Sequence, residues 1–402
     1  MTDVAVLGFG VVGSGTVEIL DKNSDRIARN AGRGIRLKYI LDVREFPGSP
    51  YESYFVKDFE TIVNDPAIKV VAEVIGGTDA ALEYTRRCLE AGKSVVTSNK
   101  ELVASHGCEL LKLAGKHGVN YLFEASVGGG IPIIRPVAQC MAANRINEIY
   151  GIMNGTTNYI LTEMAKKGTE FDAALKDAQL KGYAEADPTA DIEGHDACRK
   201  ICILSSLAFG RHLYPEQVPT EGISAVTPQD MNFALKLGYR IKLLCRARAV
   251  GEKVAAYVAP HLVSNDNLLS GIDGVLNGIV VRGNAAGDVL FVGAGAGKLP
   301  TASAVAADIV DAAKHLHERK LLNWEEGGDD LAIDPIQLES AWYVKTNADR
   351  KKVEREFGEV MFAPETGDLS AFKTAVMNGK MIGEMLARGI PAFSIFRVLG
   401  DY

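Results

Sequence analysis

The chain has 402 residues, 47% hydrophobic and 24% charged, with a formal net charge of −7. That length suits two or three globular domains, and the acidic balance, with no basic run or aromatic-interleaved basic patch, argues against a nucleic-acid binder. The longest apolar runs, such as 201–210, fall far short of the roughly 20 residues of a membrane span. No charged leader precedes the first strand, so no signal peptide is expected and the expected location is cytoplasmic.

Six scattered cysteines without a C-x-x-C pair suit reduced thiols. His195, Cys198 and Cys202 fall at helical spacing, but both thiols sit in an apolar stripe, where cysteine acts as a small hydrophobe rather than half of a metal site.

In chain order, a short apolar strand (4–7) runs directly into Gly8-Phe9-Gly10-Val11-Val12-Gly13 and a helical run at 16–20. In that setting the first glycine makes the tight turn, the second admits a pyrophosphate and the third lets helix pack on strand, with the phosphates on a helix N-terminus. A second strand, 35–43, holds Asp42 and is followed by Arg44. An acid there suits the ribose hydroxyl of NAD and an arginine the 2′-phosphate of NADP, so both cofactors stay open.

Strand and helix patterns then alternate: strand 70–75 followed by Gly76-Gly77, helix 80–90, strand 94–97, helix 107–117, strand 120–123. Short apolar strands between amphipathic helices predict a doubly wound parallel sheet. Ser98-Asn99-Lys100 follows a strand directly, at the sheet end where such folds take ligands. Glu124 to Ile133 contains Gly128-Gly129-Gly130. That loop fits either a carbonyl cage for a hard cation or an interdomain hinge.

Beyond Pro136 a strand at 146–153 leads to Asn154-Gly155-Thr156-Thr157-Asn158 and a helix at 159–166. Hydroxyls and N–H groups at a helix start suit a substrate carboxylate, although a plain cap needs only one hydroxyl. Next comes the stretch 178–209, acidic at Glu185, Asp187, Asp191, Glu193 and Asp196, then apolar on nearly every side from Ile201 to Phe209. A helix apolar all round is buried, and Asp196 and Lys200 share a face of it. An exposed pair of that kind contributes only ~0.3–0.5 kcal/mol, whereas a buried one is costly unless paired or working. A calcium loop is set aside, because Ile192 stands where glycine is needed and Cys198 where glutamate is.

Strand-like runs at 256–260, 278–282 and 288–292 predict a largely antiparallel sheet with helices on one side. A second glycine-rich passage, 291–305, enters a helix reaching about 317, and two such passages suggest that both frame one cofactor. The charged stretch 323–330 reads as a linker. After it come strands at 340–345, 360–362 and 393–398 and helices at 350–357 and 372–388.

Taken together, Gly8 to Gly13, Thr97-Ser-Asn-Lys100, Glu124 to Pro132, Asn154 to Asn158, Gly182 to Pro188 with Asp191 and Gly194 to Lys200, and Gly295 to Thr301 resemble homoserine dehydrogenases over most of residues 1–320. The resemblance implies reversible reduction of L-aspartate 4-semialdehyde to L-homoserine with NADP or NAD, in threonine, methionine and isoleucine biosynthesis. It implies catalytic Lys100 and Lys200, with Glu185 and Asp196 on the substrate amine and Gly155, Thr156 and Asp191 also lining the substrate site. The cofactor would meet Gly8, Phe9, Gly10, Val11, Val12, Gly13, Arg44, Gly76, Ser98, Lys100, Gly295 and Gly297. A sodium site from the main-chain carbonyls of Glu124, Val127, Gly129 and Ile131, and a homodimer through the middle domain, are also implied.

The expected α/β architecture is a Rossmann-type domain at 1–135 completed by about 291–320, an α+β substrate and dimerisation domain at 136–290, and an ACT-like domain at 331–402. The last is expected to be degenerate, since Thr346 to Lys351 lacks the glycine of the usual ligand loop. On chemical grounds a zwitterionic substrate needs carboxylates for its ammonium and a helix start for its carboxylate. The carbonyl needs a proton donor, here a lysine whose charge is disfavoured by burial and like charge. An aldehyde-oxidising dehydrogenase such as aspartate-semialdehyde dehydrogenase would need a nucleophilic cysteine beside a histidine, and these cysteines lie in helical or apolar settings. A non-catalytic nucleotide sensor is expected to lack the ionisable groups that Lys100, Glu185, Asp196 and Lys200 supply.

Overall fold

The computed structural model describes all residues except 321, 365–367 and 401–402. Strands β1 (Thr2–Leu7), β2 (Ile35–Leu41), β3 (Phe55–Val56), β4 (Ile68–Glu73), β5 (Ser94–Thr97) and β6 (Tyr121–Leu122) form a parallel sheet in the order β3-β2-β1-β4-β5-β6. Helices α1 (Val11–Lys22), α2 (Ser24–Ala31), α3 (Glu60–Val63), α4 (Asp79–Glu90) and α5 (Lys100–His117) lie between them. Val4 to Leu7 and Val70 to Ala72 are buried, which is why these strands read as unbroken apolar runs. Helix α5 starts seven residues earlier than the apolar pattern predicts, because the Asn99 side chain accepts the N–H of Leu102 and caps it. That cap places Lys100 on the first turn.

The middle region supplies β7 (Ile146–Ile152), α6 (Gly155–Lys167), α7 (Phe171–Leu180), α8 (Thr189–Ile192), α9 (His195–Phe209), α10 (Pro228–Lys236), β8 (Tyr239–Val250), β9 (Lys253–Ser264), β10 (Leu276–Gly283) and β11 (Gly287–Ala294). These five strands pair antiparallel in the order β11-β10-β7-β8-β9, and α6, α9 and α10 pack on them. Strand β8 is absent from the apolar pattern because basic residues interrupt it. The buried ones are paired here: Lys242 with Asp273 at 3.1 Å and Arg246 with Glu148. Helix α11 (Lys298–Lys314) returns to the first sheet, against α1, β4 and β5, and α5 lies against α9, so the two sheets meet along one seam.

The rest of the chain forms β12 (Glu339–Ser340), β13 (Trp342–Thr346), α12 (Arg350–Phe357), β14 (Met361–Phe362), β15 (Ser370–Lys373), β16 (Met377–Asn378), α13 (Gly379–Leu386) and β17 (Ser394–Val398). The run expected as one helix at 372–388 is split between β15, β16 and α13. Strand β17 pairs in parallel with β9 through Arg397–His261 and Val398–Leu262, so the second sheet continues as β9-β17-β13-β15-β14. Nor is 323–330 a loose tether. Trp324 is buried, its indole N–H donating to His212 Nδ1 at 3.0 Å and its ring edge-on to Phe123, as a large aromatic with a polar handle requires. No helix among the described residues is long and apolar enough to cross a membrane.

Candidate active site

Four element ends converge at the seam. Asp196 opens α9, and its carboxylate takes the ammonium of Lys200, one turn on, at 2.8 Å and that of Lys100, on the first turn of α5, also at 2.8 Å. Lys200 donates in addition to the carbonyl of Met153, just past the end of β7, at 2.8 Å. Asn154 follows: its side-chain Oδ1 accepts Thr157 N–H and caps α6, while its side-chain amide N–H groups donate to Asp196 at 2.9 Å and to Asp191 at 2.7 Å. Thr156 Oγ1 donates to the carbonyl of Tyr183, tying the acidic segment to the start of α6. Asp196 and Lys200 are both buried, so this is the costly version of the i,i+4 pair.

Burial alone would raise the pKa of Asp196, but the charges of Lys200 and Lys100 outweigh it and hold the carboxyl well below the usual range. Asp191 is shifted up, chiefly by burial, against the hydrogen bond from Asn154. Lys100 departs from expectation. The attraction of Asp196 exceeds the cost of burial and pushes its pKa above the ordinary lysine value, so the amine is held as an ammonium rather than eased toward neutrality.

Across the seam lies the glycine turn after β1. A side-chain carbon on Gly13 would sit 1.9 Å from the carbonyl oxygen of Gly8, so only glycine lets α1 come this close to the turn. Asp42 accepts Phe9 N–H at 2.7 Å and is clasped by Arg44 through Nε and Nη2 at 3.0 and 2.9 Å. That clasp is the main reason its pKa drops to about 2. Lys57 donates to the carbonyls of Asp42, Val43 and Arg44. The other two glycine passages touch: Gly129 has φ +56°, and a side chain there would meet the carbonyl of Gly295 at 2.4 Å.

One cavity of about 700 Å³ joins these parts. Its wall includes Val11, Val12, Ser98 and Lys100 from the first sheet's end, Val127, Gly129, Gly295 and Gly297 from the two facing passages, and Gly155, Thr156, Glu185, Asp191, Asp196 and Lys200 from the middle region. Gly8, Phe9, Gly10, Arg44 and Gly76, in the strand-end turns, and Gly13, on the first turn of α1, lie outside that wall, as do Glu124 and Ile131. The Glu124 side chain is engaged elsewhere, accepting the N–H groups of Ile133, Ile134 and Arg135 at 2.6–2.9 Å. Asn154, Lys181, Tyr183 and Thr301 also line the cavity, and the sequence alone singles out none of them for a role. A polar residue before Gly-Thr-Thr signals the Asn154 cap, but its reach to two carboxylates depends on distant chain.

A glycine turn for a dinucleotide, opening into a cavity that holds two amines on one buried acid, defines a nicotinamide-dependent oxidoreductase. Residues 8–124 match the family described as homoserine dehydrogenase, NAD binding domain, and residues 132–310 match homoserine dehydrogenase. The chain belongs to the homoserine dehydrogenase family. It is 43% identical over 353 residues to the homoserine dehydrogenase of Pseudomonas aeruginosa, covering 86% of this chain and 81% of that one, and 46% identical over 314 residues to that of Neisseria gonorrhoeae, covering 78% and 72%. Among solved structures, a homoserine dehydrogenase from Thiobacillus denitrificans superimposes with a TM-score of 0.90 at 36% identity, covering 99% of this chain and 98% of that one. A hyperthermophilic archaeal homoserine dehydrogenase in complex with NADPH gives 0.66 at 28%, covering 77% and 97%.

Proposed function

We propose that the chain interconverts L-homoserine and L-aspartate 4-semialdehyde with NADP as preferred cofactor, serving threonine, methionine and isoleucine synthesis in the cytoplasm. The observation that carries this reading is the Lys100–Asp196–Lys200 cluster in the wall of the shared cavity. Asp196 already holds two ammonium groups and an amide, so its role is to fix the lysines. The substrate ammonium is left to Glu185 and Asp191, and its carboxylate to the start of α6 at Gly155 and Thr156. A bound nicotinamide supplies or accepts the hydride. Lys200, with Lys100 sharing the path, gives the proton to the carbonyl oxygen during reduction and takes it back during oxidation.

The cofactor preference rests on Arg44. Asp42 is occupied by Phe9 and Arg44, while the guanidinium lies 4.0 Å from where a side chain on Gly10 would start, which supports a cation rather than a carboxylate as the partner of the ribose substituent. The donor set around Gly129 fits a monovalent cation: the loop's own hydrogen bonds use the carbonyls of Phe123, Gly128 and Ala294. The carbonyls of Glu124, Val127, Gly129 and Ile131 would hold the ion and brace the turn against Gly295. Boundaries at 1–135 with 291–320, 136–290 and 331–402 follow the change of strand and helix pattern along the chain, and a homodimer through the middle one follows the family resemblance.

The order β17-β13-β15-β14 with α12 and α13 as connections supports an ACT-like unit. Its first strand-to-helix loop is closed on itself, Asp349 accepting the N–H groups of Lys351 and Lys352 and Thr346 that of Ala348, which supports a degenerate ligand loop. One assay tests these readings: initial rates of homoserine oxidation with NADP and NAD side by side, with and without threonine. Faster turnover with NADP at low concentration, narrowed in Arg44→Ala, is expected. No homoserine-dependent reduction of either cofactor overturns the activity, and tight saturable inhibition by threonine overturns the degenerate loop.

A further inference from the structure

Glu73 ends β4 in the middle of the parallel sheet and is fully buried. A carboxyl group in that position is expensive where neighbouring residues are valine and alanine, and the groups that reach it are neutral. Ile75 N–H donates to one oxygen at 2.8 Å and the Thr97 hydroxyl to the other at 2.6 Å, with the Asn99 amide nearby. The titratable group facing it is Tyr121, on β6.

Those donors are links in a chain. Thr97 Oγ1 in turn accepts Asn99 N–H at 2.8 Å, and the Asn99 amide donates to the carbonyl of Gly77 at 2.6 Å, while its oxygen caps α5 at Leu102. The next residue is Lys100, whose amine reaches Asp196. At the other end, the carbonyl of Val74 would lie 2.9 Å from a side chain on Gly8, so the 74–77 loop is packed against the glycine turn.

We propose that Glu73 is a positioning residue for hydride and proton transfer: through Thr97 and Asn99 it locks the 74–77 loop and the first turn of α5 into one unit and so holds Lys100 on Asp196. The proposal rests on the reading of Lys100 given above. Both donors point at acceptors, so the lock is made by the carboxylate. Burial raises the Glu73 pKa to about 7 despite the hydrogen bonds from Thr97, Ile75 and Asn99. The lock is therefore complete above neutrality and weakens as the pH falls through that value.

The test compares wild type with Glu73→Gln, Thr97→Val and Thr97→Ser in homoserine oxidation over pH 5.5–9, with NADP affinity from protein fluorescence. Glu73→Gln is expected to lower kcat about 10- to 100-fold with NADP affinity within about threefold, and to abolish the fall in kcat near pH 7. If it does not fold, the threonine pair decides: Thr97→Val, lacking the hydroxyl, should lose about tenfold or more in kcat, and Thr97→Ser should recover to within about twofold of wild type. Wild-type kcat and pH profile in Glu73→Gln, or equal rates in Thr97→Val and Thr97→Ser, overturn the proposal. An inactive wild type overturns instead the function on which it rests.

Discussion

Among the described residues, two clusters join a buried aspartate to lysine, and their surroundings differ. Asp196 binds Lys100 and Lys200 at the seam, and the Lys100 side chain is 40% exposed in a cavity wall. Asp230, on α10, is fully buried. It takes Lys345 at 2.9 Å, the Tyr343 hydroxyl at 2.9 Å, the Ser394 hydroxyl at 3.1 Å and the backbone and hydroxyl of Thr227 at 3.0 and 2.6 Å. Lys345 and Tyr343 belong to β13 and Ser394 to β17, so the second cluster stitches the C-terminal strands onto the middle region. A buried acid–amine pair is thus no mark of chemistry by itself. The first cluster differs in holding two positive charges on one acid, in the wall of an open cavity.

The sharpest way to break that comparison is to remove one charged partner from each cluster. Lys200→Ala should lower kcat for homoserine by about 10³-fold or more, some 4 kcal/mol of transition-state stabilisation, while NADP binding persists because the glycine turn is untouched. Lys100 still pairs Asp196 in this variant, so its melting temperature should move little. Turnover near wild type would remove Lys200 from the mechanism. Asp230→Ala should do the reverse. It leaves Lys345, 5% exposed, buried without its carboxylate, a change that costs about 3–5 kcal/mol in urea unfolding, with kcat per folded molecule within about twofold. Loss of turnover without loss of stability would make Asp230 part of the working site and erase the distinction.

The same contrast explains what could be read from the chain alone. The parallel sheet was legible because its signals are local: β1 ends in glycines at fixed spacing, β5 matches its predicted span 94–97 residue for residue, and Lys100 follows within three positions. The Asp196–Lys200 pair was legible through helical periodicity, and Lys100 joined it only through the resemblance, since the seam between α5 and α9 is a tertiary fact. Strand β8 was lost because Arg240, Lys242, Arg246 and Arg248 hide its alternation, and they are tolerable only beside partners such as Glu148 and Asp273, far off in sequence. The C-terminal unit was read as following a linker, because nothing in residues 323–330 announces that Trp324 will find His212, or that β17 will find the edge of β9. The split of 372–388 into strand and helix has the same origin: Ser370–Lys373 is a strand because β13 and β14 flank it.

The smallest expected effect sharpens the comparison on the pH axis. Lys100 is held above the ordinary lysine pKa first by Asp196, with Asp191 adding to this and burial and Arg199 opposing it. A raised amine pKa keeps the proton on at higher pH. Semialdehyde reduction, which consumes that proton, should therefore hold its rate into the alkaline range, and homoserine oxidation, which needs a proton acceptor, should keep rising there. Arg199 touches neither substrate nor cofactor in this scheme, being paired with Glu101 at 3.0 Å. Replacing it with glutamine removes a repulsion and leaves Glu101 beside Lys100. Both changes favour the ammonium, so the oxidation limb in kcat/KM should shift slightly to higher pH with the plateau unchanged. Asp196→Asn should shift the limb in the opposite sense, toward neutrality, along with its loss of rate. Limbs that coincide in all three proteins would mean that the proton moves through a group Asp196 does not hold, and the two aspartate clusters would then differ only in exposure.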